Sequence, residues 1–378
     1  MSSEVPPASE VCREYFGTTD SWGCVEVMTA MNKQYRSQMT FGDKTCDTSL
    51  FPYQTPDHLE TPIPTPAEIA LARNEASMLT TSMLTSTTWR VGPYVVKVGK
   101  SVDMFHEAEN LIYLERNTNV RAPKLYAAFA SEEVDPLPDV HLEGKGKLFY
   151  YVVMEYIDGQ YIGAIDEELK GNGLVQNKLG ELLGEQLRKL RSVPPEDSNH
   201  FGRVNGRAFG QIPPFYHPPG PDFDDYGPFN YEEVVKRLIH SAQVDKALGL
   251  TPNDYSPMFR LLHRDAKFVF LDMTGPSDRL PVLSHMNLDP HSIMAKLVRD
   301  EEGKAVDVEE VVIVDWKFLC WMPSWYEAGD MCRVSFAPVH FYNGLGHHAL
   351  DRMGHVNMTL VAFFAMCVEK GAFFLVHL

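Results

Sequence analysis

Residues 283–294 read LSHMNLDPHSIM, and residues 313–316 read IVDW. Both segments are short apolar runs interrupted by polar side chains, and the β-branched residues before Asp315 are typical of a strand. A pair of short strands is therefore expected over residues 284–296 and 311–315. The polar side chains in and after these strands are the first candidates for chemistry.

Upstream, the chain alternates between strand and helix patterns. Residues 89–98 (WRVGPYVVKV) predict two strands, 106–116 (HEAENLIYLER) a helix, and 124–129 and 148–157 two further strands. After residue 158 the pattern is mainly helical. These patterns predict an α+β, two-lobed fold of the protein-kinase-like type, with a small β-rich N-lobe and a larger, mostly helical C-lobe. The cleft between the lobes is the expected ligand site.

Three segments are predicted along the chain. Residues 1–75 form an N-terminal extension of short helices and loops, rich in Pro, Ser and Thr, in which Thr-Pro-Ala-Glu at 65–68 predicts a helix start. Residues 76–157 form the N-lobe, and residues 158–378 form the C-lobe. The most apolar stretch, residues 360–378, contains Glu369 and Lys370 and predicts a buried helix and not a membrane span.

Five pieces occur in the order that is typical of one family. They are Val95-Val96-Lys97, Glu107, Met154-Glu155-Tyr156-Ile157, residues 283–294 and residues 313–316. In these pieces the chain resembles the aminoglycoside phosphotransferase and choline kinase-like family over roughly residues 80–330. The segments LRSVP (190–194), Phe201-Gly202 and Gly227-Pro228-Phe229 are similar to its fungal branch.

The resemblance implies a nucleotide site. It places Lys97 on the nucleotide phosphates, with Glu107 holding the lysine extended. It also implies that the strand around Glu155 and Ile157 offers backbone groups to adenine, and that Asp315 binds magnesium.

The loop departs from the family pattern at several positions. Family members that transfer phosphate carry a loop resembling His-Gly-Asp-Leu-x-Pro-x-Asn-Ile-Leu, and here His285 and Pro290 match it. The glycine is replaced by Met286, the aspartate by Asn287, the magnesium-binding asparagine by Ser292, and an acidic residue after Asp-Trp by Lys317.

These replacements weaken the predicted chemistry. The amide of Asn287 cannot accept a proton at neutral pH, and Ser292 is a degraded, shorter ligand position for a metal. Asp289 is a fallback base only if the loop shifts, because alternate residues of an extended loop point apart. Asp315 would then be the remaining metal ligand, if magnesium binds.

Three functions follow as hypotheses. In the first, the cleft is repurposed to bind a small, largely apolar metabolite and to promote its cyclisation or rearrangement without a cofactor. Such an enzyme would be a pericyclase of natural-product biosynthesis. His285 and Asn287 would supply hydrogen bonds to the ligand. In the second, the protein is an ATP- and magnesium-dependent phosphotransferase acting on a small-molecule hydroxyl. In the third, it is a non-catalytic pseudokinase whose N-terminal extension docks a protein partner of unknown identity.

The composition argues against two classes of binding partner and indicates a cellular location. The formal charge of −17 argues against a nucleic-acid footprint and gives no attraction to anionic membranes. The first residues lack the basic and apolar regions of a signal peptide, and the six cysteines show no metal-ligand spacing, so reduced thiols and a cytoplasmic location are expected.

Two other patterns are expected to be incidental. His263-Arg264-Asp265 spells a protein-kinase triplet, but it lies at the predicted end of a helix. His347, Asp351 and His355 have helical spacing, which is more typical of a polar helix face than of a metal site. Substrate specificity is expected to depend on the insertion at 211–226, whose side-chain directions the sequence does not determine.

Overall fold

The structure, a computed structural model, describes residues 5–38, 46–72, 78–81, 86–132, 148–210, 212, 214–215, 226–250, 255–335 and 342–369. Most of the insertion at 211–226 and residues 370–378 of the predicted C-terminal helix lie outside these ranges. None of the described helices is long and apolar enough to cross a membrane.

The described residues of the N-terminal extension form three α-helices. They are α1 (Ala8–Phe16), α2 (Ser21–Gln38) and α3 (Pro66–Ala72). Helix α1 packs on the larger lobe, where the Tyr15 and His240 rings lie 5.5 Å apart. At the start of α3 the Glu68 carboxylate accepts the Thr65 N–H at 2.8 Å, and the Thr65 hydroxyl accepts the Glu68 N–H at 3.3 Å. This reciprocal capping confirms the predicted helix start.

The N-lobe is built on one antiparallel sheet of six strands, in the order β1-β5-β6-β4-β3-β2. The strands are β1 (Tyr53–Gln54), β2 (Met78–Thr81), β3 (Ser86–Val91), β4 (Tyr94–Gly99), β5 (Leu125–Ser131) and β6 (Phe149–Glu155). The predicted strands β3 to β6 are present, whereas β2 was not predicted. Strand β1 comes from the N-terminal extension and pairs with β5, so the extension also completes one edge of this sheet.

Helix α4 (Met104–Asn117) connects β4 to β5, where the sequence predicts a helix over residues 106–116. All residues from Phe105 to Leu114 are buried, so the helix is covered on every side in this stretch. Part of the cover is Phe51 of the extension, whose ring stacks on Phe105 with centroids 4.1 Å apart. A helix enclosed in this way has its position fixed by several neighbours at once.

The C-lobe is mainly helical, with two three-stranded sheets. Its helices are α5 (Asp166–Leu169), α6 (Gly173–Arg191), α7 (Tyr231–Leu250), α8 (Pro257–Lys267), α9 (Tyr326–Ser335), α10 (Tyr342–Arg352) and α11 (Met358–Glu369). Its strands are β7 (Gln160–Tyr161), β8 (Gly202–Arg203), β9 (Pro281–Ser284), β10 (Ile293–Arg299), β11 (Ala305–Ile313) and β12 (Cys320–Pro323). The sheets have the orders β11-β10-β7 and β8-β12-β9. The two-lobed α+β fold predicted from the sequence is confirmed.

Two sheets of the C-lobe position the polar loop. Strand β9 ends at Ser284 and β10 begins at Ile293, so the loop 285–292 connects one sheet to the other. Strand β11 pairs with β10 and ends at Ile313, two residues before Asp315. The predicted strand pair is therefore present, and it brings the loop and Asp315 to the same end of the β10–β11 ribbon.

Candidate functional site between the lobes

A cavity of about 570 Å³ lies between the lobes and collects most of the predicted site residues. The predicted residues that line it are Lys97, Glu107, Glu155, Ile157, Asn287, Asp289, Ser292 and Asp315. The chain segments that carry them are far apart in sequence, so the fold brings them together. The volume of the cavity lies within the range of ordinary small-molecule sites.

Lys97 is the centre of an ion-pair network at one end of the cavity. Its Nζ lies 2.7 and 2.9 Å from the two carboxylate oxygens of Glu107, and 2.7 Å from Oδ1 of Asp315. Strand geometry explains the direction of the lysine, because Val96 and Val98 are fully buried on the opposite face of β4. All three ammonium hydrogens therefore have carboxylate oxygens within reach.

This network keeps the lysine charged. Burial alone would lower the pKa of Lys97, but the carboxylates of Asp315 and Glu107 raise it above its ordinary value. Burial favours protonation of Asp315, yet Lys97 and Lys317 together hold its pKa well below the usual range. Burial raises the pKa of Glu107 despite the lysine beside it. The resulting arrangement is a cation held between two carboxylates of unequal basicity.

Helix α4 is tied to the C-lobe one turn beyond Glu107. The carboxylate of Glu109 is fully buried and lies 3.2 Å from Nη2 of Arg203 on β8, which is also fully buried. The amide of Asn205 donates to the same carboxylate at 3.1 Å, and the amide of Asn110 donates to the Trp316 carbonyl at 2.6 Å. These contacts fix the helix that presents Glu107 to the site.

The loop that follows β9 begins with two residues that face away from the cavity. Nε2 of His285 lies 2.9 Å from the Val314 carbonyl oxygen, to which it donates. The ring is fully buried, which lowers its pKa, and Nδ1 has no hydrogen-bond partner in the described parts of the chain. The structure thus places His285 behind the loop, where it links β9 to the end of β11 and does not line the cavity.

Met286 adopts a left-handed backbone conformation with φ of 71°. Such a conformation is strained for a side-chain-bearing residue by roughly 1–2 kcal/mol. Its N–H donates to Oε2 of Glu327 on α9 at 3.2 Å, which holds the strained peptide in place. Burial, together with the neighbouring carboxylate of Asp330, raises the pKa of Glu327 to about 7, although the backbone N–H groups and Arg191 act in the opposite direction.

The remaining polar residues of the loop bond to one another. Oδ1 of Asp289 accepts the N–H groups of His291 at 2.7 Å and Ser292 at 3.0 Å. The Ser292 hydroxyl accepts the Asp289 N–H at 2.8 Å, and it lies 3.1 Å from the Asn287 carbonyl oxygen. Ser292 is therefore used to close the loop. The carboxylate of Asp289, the fallback base, is used in the same closure.

Asp315 and Lys317 lie on the turn after β11. Asp315 has φ of 63°, a left-handed conformation that places its carboxylate against Lys97. Lys317 lines the cavity, and its Nζ lies 4.6 Å from the centre of the Phe318 ring. Within the described parts of the chain, Lys317 has no carboxylate within 4.0 Å of Nζ. The positive charge is nevertheless close enough to lower the pKa of Asp315.

The connection between the lobes is held by an arginine that the sequence did not single out. Arg121 donates to both carboxylate oxygens of Glu155 at 2.7 and 2.8 Å, and to Glu310 of β11 at 2.7 Å. Two parallel hydrogen bonds of this kind fix the geometry of the carboxylate. The side chain of Glu155 is therefore engaged in joining the lobes, while Ile157 supplies buried apolar surface.

Some features of the cavity were missed from the sequence. Leu79 of β2 and Thr88 of β3 contribute to the wall. Residues 82–85, which follow β2 in the sequence, contain no glycine and lie outside the described residues. Gly92 lies in the turn between β3 and β4. The sequence predicted strand β3 from Trp89, whereas the strand begins at Ser86 and so includes Thr88.

The residues present do not fit a magnesium ion well. One expected ligand position is Ser292, whose hydroxyl is committed to the loop, and Oδ1 of Asp315 is bonded to Lys97. The described residues contain no group of three or more His, Cys, Asp or Glu side chains that could hold a metal ion. This also applies to the helical His and Asp pattern at 347–355 within the described ranges.

The two lobes, the Lys97–Glu107 pair and the aspartate after β11 together define a protein with a kinase-like fold. Residues 81–268, just under half of the chain, match the model of the phosphotransferase enzyme family. The match ends before the loop 285–292, which carries the departures from the pattern. No curated protein matches the chain.

Several solved structures share the fold at low identity. The aminoglycoside phosphotransferase APH(4)-Ia is 12% identical, with a TM-score of 0.44, covering 78% of this chain and 83% of that one. Spectinomycin phosphotransferase APH(9)-Ia, in complex with ADP and spectinomycin, is 11% identical, with a TM-score of 0.41 and coverage of 78% and 79%. A choline/ethanolamine kinase family protein from Mesorhizobium loti is 14% identical, with a TM-score of 0.42 and coverage of 80% and 82%.

Proposed function

We propose that the cleft binds a small molecule and has lost ordinary phosphotransfer. The observation that carries this proposal is the state of the loop 285–292. Asn287 lines the cavity where the family resemblance expects a proton-accepting aspartate, and Ser292 turns its hydroxyl into the loop where a magnesium ligand is expected. The fallback carboxylate of Asp289 accepts two backbone N–H groups of the same loop.

The magnitudes favour loss of the reaction. Removing a general base lowers a rate by about 10²–10⁴. Phosphoryl transfer relies mainly on positioning and on metal charge, so the base alone does not decide the outcome. Here the metal site is weakened as well, because Ser292 replaces a ligand and Lys317 adds a positive charge beside Asp315. A divalent cation is repelled by a neighbouring ammonium group, which adds to the loss.

The walls of the cavity suit a ligand with an apolar body. Val95, Met154, Ile157 and Met294 line one part, and the charged network of Lys97 lies at the other end. Within this proposal, the narrower hypothesis is a cofactor-free cyclisation or rearrangement of a natural product, in which the cavity holds one reactive conformer. Asn287 would then act as a hydrogen-bonding group. This reaction type and the cytoplasmic location remain predictions from the sequence.

One observation favours the second candidate, an ATP- and magnesium-dependent phosphotransferase. Nζ of Lys97 lies 2.7–2.9 Å from carboxylate oxygens of Glu107 and Asp315. An ion pair between a strand lysine and a helix glutamate, as between Lys97 and Glu107, is present in active kinases. The choice between the two candidate functions therefore depends on the loop 285–292 and not on Lys97.

The test compares the natural chain with a variant in which the family residues are restored. Purified protein is incubated with labelled ATP, magnesium and a panel of acceptors (hygromycin B, spectinomycin, choline and ethanolamine), and transfer of label and release of ADP are measured. The natural chain is expected to show neither transfer nor a magnesium-dependent rise in melting temperature with ATP. The triple variant Asn287→Asp, Ser292→Asn, Lys317→Glu is expected to gain the thermal shift, because nucleotide binding stabilises the folded state.

Asp315→Ala in the triple variant is the matched control, and it should remove the gained shift. The proposal is wrong if the natural chain phosphorylates an alcohol at an ordinary kinase turnover, about 1 s⁻¹ or faster. A magnesium-dependent ATP shift in the natural chain that Asp315→Ala abolishes would favour the second candidate.

A further inference from the structure

The cavity contains two lysines in different states. The ammonium group of Lys97 is surrounded by carboxylate oxygens of Glu107 and Asp315 at 2.7–2.9 Å. Lys317 lines the same cavity, but no carboxylate lies within 4.0 Å of its Nζ in the described parts of the chain. Its contact is the Phe318 ring, at 4.6 Å. Lys317 is therefore the lysine of this wall whose ammonium group can donate hydrogen bonds to a ligand.

The carboxylates of the cavity wall are engaged by donors of the protein. Glu155 binds Arg121 through both oxygens, and Asp289 accepts two backbone N–H groups. Glu107 and Asp315 share Lys97. The wall thus supplies donors for its carboxylates, whereas the partly exposed Lys317 has no carboxylate within 4.0 Å of its Nζ in the described parts of the chain and can donate to a ligand.

Lys317 also stands where the pattern of the fold would place an acidic group near a divalent ion. Lys317 and Asp315 line the same cavity and lie two residues apart on the turn after β11. A fixed ammonium group can therefore supply part of the positive charge that a metal ion would otherwise bring to this end of the cavity. Unlike a metal ion, it needs no further ligands from the loop.

We infer that the cleft binds an organic anion with an apolar body, and that Lys317 holds the anionic group without a divalent cation. The inference rests on the proposed function, because it describes the ligand of the same cavity. The apolar wall of Val95, Met154 and Met294 would receive the body of the ligand. The donors of Lys317 would bind its carboxylate, sulfonate or phosphate, with Phe318 retaining the lysine by a cation–π contact.

A pair of fluorescent probes separates the two parts of this inference. 1-Anilinonaphthalene-8-sulfonate carries an anionic group on an apolar aromatic body, and N-phenyl-1-naphthylamine has the same body without the charge. Both are titrated into the full chain at physiological salt, once in EDTA and once in excess MgCl₂. The sulfonate probe is expected to bind equally well in both solutions.

Lys317→Gln is expected to weaken binding of the sulfonate probe about tenfold or more, the factor for loss of one charge-assisted hydrogen bond. Binding of the neutral probe should not change, and Lys317→Arg should retain most of the affinity for the sulfonate. Lys178→Gln is the control, because Lys178 is an exposed lysine of α6 that does not line the cavity.

The inference is overturned if Lys317→Gln leaves the sulfonate affinity unchanged, if it weakens both probes equally, or if the natural chain fails to bind the sulfonate probe. A requirement for magnesium would also overturn it, since a metal ion would then hold the anion. These results are independent of the phosphotransfer assay. If the natural chain shows no phosphotransfer and Lys317→Gln leaves the sulfonate affinity unchanged, only the role of Lys317 is rejected. If the natural chain transfers phosphate at an ordinary turnover, the proposed function is rejected.

Discussion

Replacing Glu109 with glutamine tests whether the buried contact between α4 and the C-lobe holds the two lobes together. Glu109 and Arg203 are both fully buried, and their charged groups lie 3.2 Å apart. Arg207 lies 3.5 Å from the same carboxylate, and Asn205 donates to it at 3.1 Å. The substitution keeps the shape of the side chain and removes its charge, so the guanidinium of Arg203 loses its carboxylate in a site without solvent.

The expected loss of stability is large. Removing one member of a buried ion pair typically costs 3–5 kcal/mol, because the remaining charge is left uncompensated. Glutamine can still accept one hydrogen bond, so about 3 kcal/mol is expected for Glu109→Gln. Replacing both partners removes the uncompensated charge. The double variant Glu109→Gln, Arg203→Met should therefore be more stable than Glu109→Gln alone, by about 1 kcal/mol or more.

Urea denaturation followed by tryptophan fluorescence and circular dichroism measures these differences. Glu115→Gln is the matched control on the same helix, because this carboxylate is half exposed and lies 3.9 Å from Lys124. Its effect should stay below about 1 kcal/mol, as for exposed ion pairs. A loss of less than about 1 kcal/mol for Glu109→Gln, or a double variant that is less stable than the single one, would refute the reasoning.

Two further predictions concern stability. Since the pKa of Glu327 is raised from 4.5 to about 7 in the folded protein, its contribution to stability is full below about pH 4.5 and is lost as the pH rises through 7. The melting temperature of the natural chain should therefore fall relative to Glu327→Gln between pH 5 and 8, and a difference independent of pH would contradict this. Gly184→Ala should cost about 1–3 kcal/mol, because the new Cβ would lie 2.6 Å from the Ala349 carbonyl oxygen. Gly173→Ala on the same helix meets no atom within 4 Å and should change the urea midpoint little; equal effects of the two substitutions would exclude close helix packing as the cause.

Much of the site could be identified from the sequence because its members occur, in order, in the motifs that resemble one family. Lys97 lies in a run of β-branched residues that predicts a strand, and Glu107 lies in the first turn of the helix that follows. Asp315 follows an apolar strand. The resemblance singled out these three residues, and the structure brings the carboxylates of Glu107 and Asp315 to the ammonium group of Lys97. Strand β2 and the partner of Glu155 could not be found in this way, because β2 is short and Arg121 is 34 residues away from Glu155 in the sequence.

The sequence by itself determined the two-lobed α+β plan, the order of the motif residues and the chemical nature of the substitutions in the loop, since periodicity and residue type are local properties. Only the tertiary structure decided that His285 faces Val314 and that Asp289 and Ser292 close the loop on each other. It also decided that the carboxylates of the cavity accept hydrogen bonds from the protein, while Lys317 has no carboxylate within 4.0 Å of its Nζ among the described residues. The direction of a loop side chain depends on how distant segments close around it, and the local pattern contains no information on that closure.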